Sequence, residues 1–223
     1  MKSFSEIWGE GGADGFKRPS PLKRIPFTDY AVVEKGIINL GLMYEPKFEI
    51  TKNNDLAYRK LAHFFTGNEM PDLDLTKGIY IYGNKGSGKT LAMKIMKDFT
   101  KEIIRNNGFK FYNATEIKQG VTDIKDAYWA VLNYLDGKPT TVFVDDIGTG
   151  YDEINTFGTK FNVTEALISE RYIHFMRESR FLHVTSNISP LYFQTTYDER
   201  IVSRMNEMFN FIEISGPDYR SEK

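Results

Sequence analysis

Residues 83 to 90 read Gly83-Asn84-Lys85-Gly86-Ser87-Gly88-Lys89-Thr90, a G-x-x-x-x-G-K-[ST] string that can cradle phosphate. Its glycines permit a tight turn that aims successive N–H groups at phosphate oxygens. The helix expected from Leu91 onward adds the positive end of its dipole. In that setting Lys89 contacts the β- and γ-phosphates of a nucleoside triphosphate, and Thr90 ligates Mg²⁺. A second station, Asp145-Asp146, closes the apolar run Val142-Phe143-Val144. The first carboxylate is placed to hold Mg²⁺, and the second to orient or deprotonate an attacking water. Two carboxylates at the end of a buried strand repel each other unless a cation compensates.

Asn187, in Thr185-Ser186-Asn187, is a neutral amide that can reach a γ-phosphate or the lytic water without competing for the cation. A turn before Ile188-Ser189-Pro190 is the competing explanation. Arg200 and Arg204 lie one helical turn apart, and guanidinium groups there can stabilise the charge spread over a transferring phosphoryl group. Glu207, three residues beyond Arg204, offers a surface ion pair instead.

These stations need a scaffold that brings strand ends together. Short apolar runs at Ile79–Tyr82, Phe109–Tyr112, Thr141–Asp145, Phe181–Thr185 and Phe209–Ile214 alternate with helical stretches, which implies a parallel sheet covered on both faces. The expected helices begin near Asn54, with Leu56, Leu61, Phe64 and Phe65 on or near one face. They continue after the phosphate loop, with Leu91, Ile95, Phe99 and Ile103 at i,i+4 steps, ending at Asn106-Asn107-Gly108. Further helices are expected over about 114–135, over 163–178 with Ile168, Tyr172, Phe175 and Met176 facing inward, and over 198–208. Asn162 and Glu165 resemble a capping box, and a loop holding Gly148, Gly150 and Gly158 precedes them. Ligands bind such sheets beyond the carboxyl ends of the strands, where the four stations fall.

The remainder of the composition narrows the class. The chain has 223 residues, 41% of them hydrophobic, and a formal charge of −1, so no global positive field points to nucleic acid or an anionic membrane. Absence of cysteine excludes disulfides, thiol catalysis and Cys-ligated zinc. No apolar stretch is long enough to span a bilayer and no signal-peptide segment opens the chain, so no membrane is expected and the cytoplasm is the default. Residues 1–50 show Gly and Pro punctuation without a sustained period, and read as an N-terminal arm or docking segment ahead of an ATPase domain at 51–223. Lys17, Arg18, Lys23 and Arg24 make that arm locally basic. A solvated loop is the plain reading, and a phosphate or acidic-partner contact is the other.

Taken in order, the strings Gly78-Ile79-Tyr80-Ile81-Tyr82-Gly83, Val144-Asp145-Asp146-Ile147-Gly148, Ser169-Glu170-Arg171-Tyr172, Thr185-Ser186-Asn187 and Glu199-Arg200-Ile201-Val202-Ser203-Arg204-Met205 carry a resemblance. Over about residues 54–220 the chain resembles the AAA+ ATPases of the replicative helicase loader group, of the DnaC/DnaI type, and their relatives, the IstB-type transposition helpers. The resemblance implies a P-loop NTPase three-layer α/β sandwich with a five-stranded parallel sheet in the order 5-1-4-3-2. It also implies ATP and Mg²⁺ as cofactors, Asp145-Asp146 as the Walker B pair and Asn187 as sensor 1. Arg204 becomes an arginine finger acting in trans, hence self-association in a ring or spiral. A hexameric replicative helicase and single-stranded DNA are the implied partners.

Departures from the pattern add expectations. Many AAA+ enzymes carry Glu where this chain has Asp146, so slow, switch-like hydrolysis is expected. The sequence stops at Lys223, soon after the fifth strand, which suggests an AAA+ core without a full lid, with Arg220 the remaining candidate for sensor 2. A larger, more basic N-terminal part would be expected of a transposition helper. A nucleotide kinase and a nucleotide-gated binding module are the alternatives from other classes.

Overall fold

Alternating Ile79, Tyr80 and Ile81 place successive side chains on opposite faces of a strand, and all three are fully buried, so both faces of the sheet are covered. The computed structural model describes residues 22, 24–27, 29–102, 109–119, 141–148, 153–156 and 159–217. Among these, β1 (Gly78–Tyr82), β2 (Lys110–Asn113), β3 (Val142–Ile147), β6 (Leu182–Ser186) and β7 (Phe209–Glu213) form one sheet in the order β2-β3-β6-β1-β7. Every pairing in it is parallel. Counting these strands alone gives 2-3-4-1-5, the expected 5-1-4-3-2 read from the other edge.

One face packs Ile79, Ile81, Phe143 and Ile212 against α1 (Tyr30–Tyr44), α2 (Asp55–Phe65) and α3 (Lys89–Glu102). On the other, Tyr80, Val142, Val144 and Val184 meet α4 (Ala114–Gln119), α5 (Val163–Glu178), α6 (Phe193–Thr196) and α7 (Glu199–Met208). Helices start where short polar side chains satisfy free N–H groups. Asn162 accepts from Glu165 N at 3.1 Å ahead of α5, and Asp198 accepts from Arg200 N at 2.9 Å ahead of α7. In α7 the stripe Ile201, Val202, Met205 and Met208 is buried.

Several expectations need correction. Residues 30–44 are a helix within the segment read as lacking a period. Only Ile37, Leu40 and Gly41 of α1 are buried, while Val32, Leu42 and Met43 are exposed, so apolar residues lie all round it and no stripe is visible. Gly41 is small because a Cβ there would lie 2.1 Å from the Phe48 ring. Tyr44 ties α1 to α3 by donating to Asp98, and that bond pushes the phenol up to about 12. The expected loop before α5 contains an antiparallel hairpin, β4 (Glu153–Thr156) with β5 (Thr159–Asn162). Four-residue strands pairing only with each other are hard to distinguish from loop when glycines flank them.

Leu56 is 59% exposed and Met176 is 47% exposed, so neither faces inward. Each sits beside the buried stripe of its helix, where an apolar residue is tolerated in water. The helix expected over 114–135 is described only as far as Gln119. Ile103, Asn106-Asn107-Gly108, Gly150, Gly158, Arg220 and the basic residues Lys17, Arg18 and Lys23 lie outside the described residues.

His183 lies within this core, 1% exposed, among the rings of Phe64, Phe65, Phe109 and Phe181 at 5.3–5.9 Å. Its Nδ1 accepts from Ile79 N at 3.1 Å, so the ring joins β6 to β1 in its neutral form. Burial first, and then the charge of Arg171, lower its pKa from 6.5 to about 3. Between those values only the unfolded chain takes up this proton, so stability falls as pH drops through the window, by up to about 1.4 kcal/mol per unit. Urea midpoints measured between pH 7 and pH 4 should show that slope. His183→Leu should flatten it while lowering stability at pH 8 by about 1–3 kcal/mol, because Ile79 N–H loses its acceptor.

Candidate nucleotide site

The loop between β1 and α3 is shaped by backbone that side chains would obstruct. Gly83 has φ +150° and a Cβ on it would fall 2.1 Å from Ile214 O, on the chain beyond β7. Gly88 has φ +92°, a conformation that L side chains rarely adopt. Asn84 and Lys85 are exposed, Gly86 is half-buried, and Ser87 is buried with its Oγ unpartnered among the described residues. The Leu91 side chain packs into the core, leaving its backbone as its contribution to a cradle.

Lys89 opens α3 with 7% exposure, and its Nζ donates to Gly83 O at 2.9 Å, Asn84 O at 2.8 Å and Asn187 Oδ1 at 2.7 Å. The other face of Asn187 donates from Nδ2 to Asp146 Oδ1 at 3.3 Å. One amide therefore bridges the loop lysine and the second carboxylate, its oxygen toward the cation and its nitrogen toward the anion. Burial, then the charge of Glu213 on the paired strand, raise the pKa of Tyr82, so the residue leading into the loop adds no charge.

Beside this bridge, Thr90 Oγ1 donates to the Asp145 carboxylate at 2.9 and 3.0 Å. Asp145 is 6% exposed, and Thr185 Oγ1 donates to it at 2.5 Å. Adjacent residues in a regular strand point to opposite faces, so Asp145 and Asp146 would diverge. The register of β3 on β6 instead shifts between Val144 and Ile147, where three steps on β3 match two on β6. This bulge takes up Asp146 in a left-handed conformation, φ +62°, with its N–H donating to Thr185 Oγ1 at 2.9 Å. Asp145 thereby meets Thr90, and Asp146 meets Asn187, which holds Lys89.

Arg200 and Arg204 stand apart from this cluster. Arg200 is exposed, and Arg204 donates from a terminal guanidinium nitrogen to Ser169 Oγ at 2.8 Å, with its guanidinium carbon 5.1 Å from the centre of the Tyr172 ring. Neither contacts Lys89, Thr90, Asp145, Asp146 or Asn187 among the described residues. Glu207 does not take up the ion pair with Arg204 that its spacing offered; Tyr172 donates to it at 2.7 Å.

The fold has solved counterparts. DnaI superposes with a TM-score of 0.54 at 20% identity, over 78% of this chain and 88% of that one. Domain III of the Thermotoga maritima replication initiation protein DnaA gives 0.52 at 16% identity, over 78% and 67%. DnaA bound to AMPPCP and single-stranded DNA gives 0.50 at 18% identity, over 77% of this chain and 49% of that one. The chain shares the fold of DnaI and of DnaA domain III. No protein-family model matches the sequence, and no curated protein matches it.

In this fold the loop Gly83–Thr90, Asp145-Asp146 and Asn187 converge at the carboxyl ends of β1, β3 and β6, while the arginines occupy a separate helical face. Thr185 was not singled out from the sequence. Its hydroxyl serves both carboxylate residues, donating to one side chain and accepting from the other backbone, and its position before Ser186-Asn187 in an apolar strand was the available signal. Ser186 similarly donates to Ile147 O at 2.8 Å, holding the far side of the bulge. Gly83→Ala should force the loop away from Ile214, lowering stability by about 2 kcal/mol or more, or a melting temperature shift of about 4–8 °C, measurable by calorimetry.

Proposed function

We propose that this chain is a helicase loader-like AAA+ ATPase of DNA replication that binds Mg-ATP and hydrolyses it slowly as a switch. The observation that carries the reading is the convergence of two contacts: Thr90 on the buried Asp145, and Lys89 on Asn187, which in turn donates to Asp146. The buried Asp145 carboxylate receives only hydroxyl donors among the described residues, a set suited to a hard cation with oxygen ligands. Thr90 and Asp145 would hold Mg²⁺, which supplies charge neutralisation at the β- and γ-phosphate oxygens.

The backbone N–H groups from Gly83 through Ser87 to Leu91 would wrap the phosphates, with Lys89 moving from loop carbonyls to phosphate oxygens. Asn187 would then position a water, and the Asp146 carboxylate would accept its proton. Arg204, with Arg200 one turn earlier, would reach the terminal phosphoryl group of an adjoining copy, which makes ATP part of the contact between subunits. Loss of that phosphoryl group weakens the contact, and this is the switch. The proposed partners are a hexameric replicative helicase and single-stranded DNA, with residues 1–50 as docking segment and the cytoplasm as the compartment.

Lys89→Ala should weaken ATP binding about 10–100-fold by titration. Asp146→Asn should retain binding and lower kcat by about 10²-fold or more. Affinity capture with ATP, using Lys89→Ala as control, separates the partner classes. A hexameric helicase retained only with nucleotide supports loading; a transposase retained in its place overturns it for the IstB-like reading. Normal ATP affinity in Lys89→Ala would remove the nucleotide site altogether.

A further inference from the structure

Two residues of the string Ser169-Glu170-Arg171-Tyr172 hold Arg204, one by a hydrogen bond and one by its ring. Ser169 and Tyr172 are three apart on α5, and Arg204 and Glu207 are three apart on α7, so each pair shares a helix face. The two faces meet crosswise. Arg204 donates to Ser169 Oγ at 2.8 Å and lies over the Tyr172 ring, while the Tyr172 hydroxyl donates to Glu207 Oε2 at 2.7 Å. All four side chains are half-buried.

We propose that Ser169, Tyr172 and Glu207 form a bracket that sets the direction in which Arg204 is presented to the triphosphate of an adjoining copy. The proposal rests on the reading of Arg204 as a finger acting in trans. A guanidinium on a flexible stem serves a transition state only if its orientation is settled beforehand. The ring face attracts the cation, and the serine oxygen takes one N–H, leaving the other donors of the fork without a bond among the described residues. Glu207 has a double effect: its carboxylate holds the phenol, and the phenol keeps that carboxylate from pairing with Arg204 at i,i+3. These three are positioning residues, since none of them contacts the phosphate loop among the described residues.

The test uses full-length protein with Mg-ATP and a single-stranded oligonucleotide, reading phosphate release and, by sedimentation, ATP-dependent self-association. Arg204→Ala should lower turnover by about 10³-fold. Tyr172→Leu should lower it about 3–30-fold with KM for ATP unchanged, because its own phosphate loop is intact. Tyr172→Phe, which keeps the ring, should lose less. Ser169→Ala removes only a hydroxyl and should lose about 2–5-fold, which keeps the test available if Tyr172→Leu unfolds. Mixing either variant with Lys89→Ala, which supplies an intact finger but no functional phosphate loop, should raise turnover several-fold per intact site.

Wild-type turnover and self-association in Tyr172→Leu and Ser169→Ala, with Arg204→Ala impaired, would overturn the bracket and spare the finger. So would a loss that mixing fails to rescue while Arg204→Ala is rescued, because the defect would then lie within the variant's own protomer. An Arg204→Ala protein unaltered in both readouts would overturn the finger itself, and the bracket with it. Where turnover is too slow to read, self-association alone decides between these outcomes.

Discussion

A buried carboxylate held by hydroxyls from two other elements is the constraint around which this molecule is arranged. Asp145 lies at the carboxyl end of β3, and Thr90 and Thr185 donate to it from α3 and β6. Taking a charge out of water is tolerated only where donors or a cation replace the solvent. The strand order supplies those donors: β6 lies between β3 and β1, so Thr185 sits between the carboxylate and the loop that follows β1. A different order would leave Asp145 without one of its partners. The aromatic and aliphatic layers on both faces keep the strand ends in place, because close-packed interiors permit little independent movement.

The second carboxylate depends on an irregularity in the same strand. Without the bulge, Asp146 would point away from the loop; with it, Asn187 spans from Asp146 to Lys89. The amide is suited to that place because it offers an acceptor to the ammonium and a donor to the carboxylate, with no net charge. Left-handed backbone at Asp146 is uncommon for a residue with a side chain, and strain of this kind gathers where a site needs a side chain aimed against the regular pleat. The hydroxyls of Thr185 and Ser186 fasten both sides of it.

Separation of Arg204 from this cluster makes the site incomplete within one chain under the proposed reading. Its guanidinium is anchored on α5 instead, over the ring of Tyr172. A cation held on a helix face away from its own phosphate loop suits a group that serves a neighbour. The functional unit is then a contact between copies, and nucleotide chemistry becomes a means of making and releasing that contact.

Much of this was legible from the residues in order. The glycine and lysine spacing of the phosphate loop, the apolar strand before Asp145 and the alternation of strands with helices all arise from local rules, either backbone conformation or side-chain period, and each left a readable trace. Residues 30–44 and the β4–β5 hairpin left none, because α1 carries apolar side chains on every side and the hairpin strands are only four residues long. Tertiary structure alone decided the bulge that turns Asp146 toward Asn187, the double role of Thr185, and the partnership of Glu207 with Tyr172 in place of Arg204. Such choices depend on which strand or helix lies alongside, and hydrogen-bond partners more than thirty residues apart in sequence are selected by packing, which no local period records.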